Sequence, residues 1–281
     1  MVVIPITTTQ PAREGIARRG SICGGGGCGT ITGNRAICPA WLGKADMLAR
    51  DHALSGALAF TAVAPVLHVT GAGLLAGAVF TAGAATLPDI DEPGSTISRT
   101  LGFFTMAVAW VVHKISGGHR KGTHSVLGIA LFTVAAWAAV AGARGLTGKI
   151  ILGVVLGLLL AAGVRALRIG GHQADIIGLA AGAAAVYWRA GLALVPLCVA
   201  LGAAAHIAGD ELTHGGCPLA WPVSGHEFHL LPRRLRITTG RFAEHWLVST
   251  LLLAALGYLL WRNTGIAGIV HHQDSVVRTG A

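Results

Sequence analysis

Histidine and aspartate residues recur in this sequence at spacings that suit metal coordination. His206 and Asp210 are four residues apart, so on a helix both side chains would lie on one face, about one turn apart. Asp89 and Asp91 flank Ile90, and in extended backbone their carboxylates would share a face and repel each other unless a cation neutralised them. Each pair predicts two ligands of a metal site, although the first could instead tie two helices together and the second could be solvated.

Three more histidines complete a set of seven candidate ligands. Imidazole combined with carboxylate suits zinc, manganese or iron better than calcium. Seven side chains exceed the four ligands of a typical zinc site, so we expect one or two divalent ions. Zinc is the expected metal, and some of the seven residues would orient the ligands rather than bind the ion. No Gly-x-Ser-x-Gly turn occurs, so a serine nucleophile is not expected. The seven residues are His52, Asp89, Asp91, His119, His124, His206 and Asp210.

The composition indicates which elements must position these side chains. Charged residues make up 12% of the chain and hydrophobic residues 53%, whereas soluble globular proteins contain about 25% charged residues. The sequence therefore predicts an all-α fold, a polytopic transmembrane helical bundle of about six or seven spans, each built on about 20 mainly apolar residues. The predicted spans are residues 53–68, 71–87, 125–142, 146–164, 176–188, 191–209 and 243–261.

A shorter apolar stretch, residues 101–113, is predicted to be an interfacial helix. As a helix it would cover about 20 Å, less than the ~30 Å of the hydrocarbon core. The membrane-embedded domain is predicted to comprise residues 47–262. Residues 1–46 are predicted to be a disordered or non-native extension, with Met47 as an alternative start, and residues 263–281 a C-terminal tail.

The distribution of basic residues predicts the orientation of this bundle. With residues 101–113 outside the bilayer, residues 1–52, 88–124, 165–175 and 210–242 all emerge at one face. Those segments contain sixteen of the 21 Lys and Arg residues, and such an excess is typical of the cytoplasmic side. All seven candidate ligands fall at that face, near predicted helix ends. Because topology explains the net charge of +9, we expect membrane lipids as partners and no nucleic acid.

Three motifs, placed in the same order and at similar spacing, resemble those of a known family. They are Leu-Pro-Asp-Ile-Asp-Glu-Pro-Gly-Ser (87–95), Gly-His-Arg-Lys-Gly-Thr-His-Ser (118–125) and the segment that begins His-Ile-Ala-Gly-Asp-Glu-Leu-Thr-His (206–214). These motifs are similar to the signatures of the YdjM-like family, inner-membrane proteins of bacteria and archaea described as membrane-bound metal-dependent hydrolases, some of them LexA-regulated. The sequence departs from the pattern at Glu92, where a histidine is frequent, and at His214, where a proline is common.

The resemblance implies a hydrolase of the inner membrane whose site uses the seven His and Asp residues. It implies that Asp91, His124 and Arg120 are catalytic, with Arg120 binding an anionic substrate. Thr123 and Thr213 match the family pattern too, and are implied to support the site or contact substrate. The order of the ligands is also similar, more loosely, to that of helical zinc phospholipases C and single-strand nucleases, which suggests phosphate-ester hydrolysis.

The sequence leads us to expect a metal-dependent hydrolase that faces the cytoplasm and acts on a phosphate ester or a lipid-like ester. The alternative is a non-hydrolytic transporter or metal-handling protein that uses the same cluster, since intramembrane His and Asp also line ion pathways. A transporter would place its polar groups near the bilayer midplane, whereas these lie at predicted helix ends. A third hypothesis is a structural protein stabilised by its metal.

Overall fold

The computed structural model describes residues 45–169, 171, 173–189, 191–237 and 244–264, which all lie in one compact unit. These residues form eight α-helices with short 3₁₀ turns, and their only β pairing consists of isolated bridges, which confirms the predicted all-α class. The helices are α1 (Ala45–Val63), α2 (Gly71–Ala84), α3 (Phe103–Ile115), α4 (Val126–Gly142), α5 (Leu146–Ala166), α6 (Gln173–Tyr187), α7 (Val195–Glu211) and α8 (Ser249–Asn263). The 3₁₀ turns are Pro88–Asp91, Ile97–Arg99, Gly122–His124, Leu192–Leu194 and Arg233–Leu235, and one π-helical turn, Glu244–Val248, precedes α8.

Three helical segments in the described part of the chain are long and apolar enough to cross a membrane. They are Gly71–Asp91, which includes α2 and the turn after it, Leu146–Ala166, and Leu192–Glu211, which includes α7. This is fewer than the six or seven spans that the sequence predicted. The predicted spans 125–142 and 176–188 form α4 and α6, apolar helices of 17 and 15 residues, which are shorter than the about 20 residues of a typical crossing.

The first and last predicted spans, residues 53–68 and 243–261, correspond to α1 and α8, which pack side by side through polar contacts. An Arg50 guanidinium nitrogen donates to the hydroxyl of Ser249 at 2.5 Å. At the other end of the pair, the Asn263 amide donates to a backbone carbonyl of α1 at 2.8 Å. These contacts hold α1 in place, and α1 carries His52, the first predicted ligand.

Glycines bring α5 and α6 into backbone contact. A Cβ atom added at Gly182 would overlap the backbone of Gly153 and Gly157, and one added at Gly178 would lie 2.5 Å from the Ala161 backbone nitrogen. Small residues at such positions are typical of helix pairs in membranes, where close van der Waals packing replaces the hydrophobic effect as the driving force.

Glycines also allow α2 to pack closely against α1 and α7. A Cβ at Gly56 would lie 2.5 Å from the Thr81 carbonyl oxygen, and a Cβ at Gly202 would lie 2.7 Å from the backbone nitrogen of Ala85. The last turn of α2 is therefore held against the middle of α1 and the middle of α7, just before the 3₁₀ turn Pro88–Asp91.

Helix α3 exposes most of its apolar surface. Only Thr105 and Ala109 are buried in it, whereas Phe103 is 79% exposed and Ile115 is 76% exposed. A helix of this kind requires an apolar surrounding. The interfacial placement of residues 101–113 stays a prediction.

The predicted boundaries of the embedded domain fall near the limits of the described residues. The extension, residues 1–46, and the tail, residues 263–281, lie almost wholly outside them. Helix α1 begins at Ala45, so its first turn includes the last two residues of the predicted extension.

Candidate metal centre

All seven predicted ligands come together where the ends of several helices meet. One comes from α1, two from the 3₁₀ turn after α2, two from the loop and turn before α4, and two from the last turns of α7. They form three overlapping groups, and within each group the candidate ligand atoms lie within 4.8 Å of one another. The groups are His52 with His206 and Asp210, Asp89 with His124 and His206, and Asp91 with His119 and His124.

Four of these side chains surround one point with donor atoms, and we refer to His124, His206, Asp89 and Asp210 as the cage. His124 Nε2 and His206 Nε2 face each other at 3.2 Å. Asp89 Oδ1 lies 3.6 Å from His124 Nε2 and 3.5 Å from His206 Nε2. Asp210 Oδ2 lies 3.5 Å from each of the same two nitrogens. The side chain of Asp89 is 22% exposed, while the other three are almost fully buried, so solvent reaches the cage from the Asp89 side.

The remaining nitrogen of each cage histidine is already hydrogen-bonded. His206 Nδ1 lies 2.7 Å from the Ala85 carbonyl oxygen, which can only accept, so this nitrogen carries a proton. His124 Nδ1 lies 3.0 Å from Thr123 Oγ1. Because the Thr123 hydroxyl donates its one proton to the Asp91 carboxylate, its oxygen accepts from His124 Nδ1. When both rings are neutral, each directs an Nε2 lone pair toward the other, an arrangement that is repulsive unless a cation or a proton lies between them.

Asp210 has its two carboxylate oxygens in different surroundings. Oδ2 belongs to the cage, whereas Oδ1 accepts a hydrogen bond from the Arg120 guanidinium at 2.8 Å and lies 3.6 Å from His52 Nε2. The His52 ring stacks on His206 with 3.8 Å between ring centroids. Gly215 makes room for the guanidinium, since a Cβ there would overlap an Arg120 nitrogen. Arg120 therefore supplies positive charge to the oxygen of Asp210 that faces away from the cage.

Asp91 is hydrogen-bonded through both carboxylate oxygens and is completely buried. Its Oδ1 lies 2.8 Å from His119 Nδ1. Its Oδ2 accepts from the backbone N–H of Arg120 at 3.2 Å and from the Thr123 hydroxyl. Asp91 therefore orients His119 directly and His124 through Thr123, as carboxylates do behind the histidine ligands of metal sites.

The electrostatics distinguish the two histidines before α4. Burial lowers the pKa of His124, and this effect outweighs the hydrogen bond and charge of Asp89, which act in the opposite direction. Burial also disfavours the charged form of His119, but the hydrogen bond and the charge of Asp91 outweigh it and raise the pKa of His119. Near neutral pH, His124 therefore offers a free lone pair, whereas His119 holds a second proton more readily than an ordinary histidine.

Residues 47–272 match the family model described as YdjM inner membrane protein. The chain belongs to the YdjM family. The match confirms the resemblance carried by the three sequence motifs, and it includes every residue of the cage. Comparisons with curated proteins and with solved structures gave no match.

The YdjM family assignment and the apolar helices identify this chain as a membrane protein. Within the matched region, Thr213 makes two local hydrogen bonds at the end of α7. Its hydroxyl donates to the Asp210 backbone carbonyl at 2.7 Å and accepts from the Gly215 backbone N–H at 3.2 Å.

Two residues near the centre were not predicted from the sequence. His113 Nδ1 donates to the backbone carbonyl of Asp91 at 2.7 Å, which holds the 3₁₀ turn after α2. Cys217 is buried with its Sγ 4.0 Å from Asp210 Oδ2. Burial and the neighbouring carboxylate raise the pKa of Cys217, so this thiol is neutral in the absence of a metal ion. Neither residue belongs to a spacing that predicts such a contact, because both are brought in by tertiary packing.

Proposed function

We propose that this YdjM family member is a membrane-bound metal-dependent hydrolase with a His/Asp metal centre at the cytoplasmic face, and that it cleaves a phosphate ester or a lipid-like ester. The observation that supports this most is the pair of Nε2 atoms of His124 and His206, which face each other at 3.2 Å. Two lone pairs so close, with two carboxylate oxygens beside them, form a donor set for a cation.

The distances between the two nitrogens, and from each nitrogen to the two carboxylate oxygens, fit an ion such as zinc. Zinc–nitrogen bonds of about 2.0–2.1 Å in a tetrahedral site put neighbouring ligand atoms about 3.3 Å apart. The distances from Asp89 Oδ1 and Asp210 Oδ2 to the two nitrogens are 3.5 to 3.6 Å. A proton shared by the imidazoles would relieve the nitrogen contact, but it would leave both carboxylate oxygens farther away than the roughly 2.7–3.2 Å of a hydrogen bond. Manganese and iron also accept this set of ligands.

The contacts support a separate role in the reaction for the cage, for His119 and for Arg120. The cage residues would hold a divalent ion, which would supply Lewis-acid activation of water and of an ester oxygen. Asp91 holds His119 at the edge of the site, where the His119 side chain is 34% exposed and can exchange a proton with substrate or solvent. Arg120 holds Asp210 and adds positive charge that favours an anionic substrate.

The proposed orientation rests on the sequence and on the position of the cage. The cage lies at the ends of the apolar segments Gly71–Asp91 and Leu192–Glu211, so it belongs to a membrane face rather than to the middle of the bilayer. The excess of Lys and Arg in the segments that emerge at this face favours the cytoplasmic side. A multi-pass chain in the inner membrane, with about six or seven crossings once short and tilted helices are included, remains our proposal.

Elemental mass spectrometry on detergent-purified full-length protein tests the metal centre. We expect about one equivalent of zinc, manganese or iron per chain, because the cage offers four ligand atoms for one ion. The double variant Asp89→Asn/His206→Gln should lose this metal. The matched control is Asp175→Asn/His214→Gln, which makes the same chemical changes at two residues outside the cage and outside the cavities beside it, and it should keep the metal.

Hydrolysis is then measured on the metal-loaded protein with phosphodiester and lipid phosphate substrates. Turnover that is lost in the cage variant and kept in the control supports the hydrolase. Metal without turnover, together with uptake of metal into sealed vesicles, would identify a metal-handling protein. Absence of metal in the wild type after resupply would refute the metal centre itself.

A further inference from the structure

Two cavities of opposite character adjoin the candidate metal centre and share one wall, the side chain of Trp221. The polar cavity, of about 520 Å³, is lined by His119, Arg120, Lys121, Trp221 and Glu227 together with glycine and proline residues. The apolar cavity, of about 190 Å³, lies on the other side of Trp221, between α3 and α4. The pair therefore offers a polar and an apolar compartment side by side.

The polar cavity suits an anionic group. Arg120 and Lys121 contribute two permanent positive charges, and the only carboxylate of its lining is that of Glu227. Arg120 also contacts the cage through Asp210, so an anion bound by its remaining guanidinium N–H groups would lie next to the metal centre. Guanidinium and ammonium groups together are a typical setting for phosphate.

The apolar cavity suits a hydrocarbon chain that enters from the bilayer. Its wall contains Ile115 on α3 and Leu131 on α4, which are 76% and 60% exposed, so it opens toward the lipid-facing surface. Its inner end contains Thr123, whose hydroxyl donates to Asp91 beside the cage. Gly122 admits the dividing ring, because a Cβ at this position would lie 3.0 Å from Trp221.

We propose that the two cavities together bind one anionic amphiphile, with a phosphate head group in the polar cavity and its chain in the apolar cavity. This deepens the proposed function by naming the substrate class, a phosphate-bearing lipid drawn from the bilayer. The chain passes from bilayer hydrocarbon into an equally apolar groove, so its transfer contributes little free energy. The head group therefore determines affinity, and the groove determines where the chain lies and which bond faces the cage.

Photo-crosslinking in nanodiscs of neutral phosphatidylcholine tests this placement without requiring turnover. The probe is a long-chain alkyl phosphate with a diazirine in its chain, and the labelled peptides are identified by mass spectrometry. We expect label on the segment that contains Leu127 and Leu131. Leu131→Trp, which fills the groove, should reduce the label at least about fivefold. Val134→Trp places the same ring at an equally exposed position on α4 that does not line the groove, and should leave the label unchanged.

Competition identifies the head group and separates lipid from soluble sources. An unlabelled alkyl phosphate should displace the probe, whereas an alkyltrimethylammonium of the same chain length and glycerol phosphate at equal concentration should not. Equal labelling of Leu131→Trp and Val134→Trp, or equal competition by the cationic amphiphile or by glycerol phosphate, would overturn the proposal. Metal content measured on the same samples keeps the two proposals apart. Label without metal would refute only the hydrolase, and metal without localised label would refute only the amphiphile site.

Discussion

Replacement of Thr123 by valine is the sharpest test of how the cage is held. The two side chains have nearly the same shape, so Thr123→Val removes a hydroxyl without opening a cavity. That hydroxyl accepts from His124 Nδ1 at 3.0 Å and donates to the Asp91 carboxylate. In the variant, the buried Nδ1 of His124 keeps its proton but loses its acceptor, and Asp91 loses one of its donors.

The expected loss of metal affinity follows from the position of Thr123, which contacts the ligand His124 but does not itself bind the ion. Loss of such an outer contact lowers metal affinity by about 10- to 100-fold, which corresponds to about 1.4–2.7 kcal/mol. The upper part of this range is expected here, because His124 and Asp91 are both 0% exposed and water cannot replace the hydroxyl. Thr123→Ser, which restores the hydroxyl, should recover most of the affinity.

Zinc affinity is measured by competition with a chelator on the purified protein. The matched control is Thr133→Val on α4, where the hydroxyl bonds only to the Ile129 carbonyl of its own helix at 2.7 Å. The control should bind zinc within about twofold of the wild type, since its hydroxyl touches no ligand. If Thr123→Val and Thr133→Val bound zinc equally well, the reasoning that Thr123 fixes the His124 tautomer would be refuted.

Three further changes have definite expected outcomes. Gly182→Ala should lower thermal stability in detergent, because its Cβ would overlap the backbone of α5, whereas Gly257→Ala, with open space around it, should leave stability unchanged or raise it by up to about 1 kcal/mol. Equal melting temperatures would contradict the close contact of α5 and α6. Arg120→Ala should raise the metal content above one equivalent at high metal concentration, because it frees Asp210 Oδ1; an unchanged content would show that Arg120 does not limit the site. Deletion of residues 2–46 should leave metal content unchanged, since no cage atom comes from them, and loss of metal would show that they matter to the centre.

The sequence predicted the candidate site more completely than the bundle around it. The i, i+4 spacing of His206 and Asp210 requires only one helix to align them, and α7 provides it. The predicted pairing of Asp89 with Asp91 on one extended face was only partly right, because they lie in a 3₁₀ turn. In that turn Asp89 reaches the cage while Asp91 bonds to His119. Local spacing identified the residues, but the fold decided which oxygen faces which partner.

The number of spans and the supporting contacts depend on information that hydropathy does not contain. A window of apolar residues predicts that a helix forms but not where it ends. Hydropathy therefore did not show that α4 and α6 are shorter than the about 20 residues of a typical crossing. The acceptor for His206 is a backbone carbonyl of Ala85 in the segment after α2. It is placed there by the contact of Gly202 with the same segment. Contacts between a side chain and a distant backbone have no pattern in the sequence, and only packing reveals them.

The surroundings of Asp210 favour one ion over two. A second ion bridged by this carboxylate would need Oδ1, with His52 as a further ligand 3.6 Å away. That oxygen already accepts a hydrogen bond from the Arg120 guanidinium at 2.8 Å, and a dication placed there would meet a permanent positive charge. Arg120 therefore supplies the positive charge that a second ion would otherwise provide. It balances the charge of Asp210 at Oδ1, the oxygen that is not part of the cage. A two-ion site would require the guanidinium to move away, for example onto the phosphate of a bound substrate, so the number of bound ions would then depend on substrate.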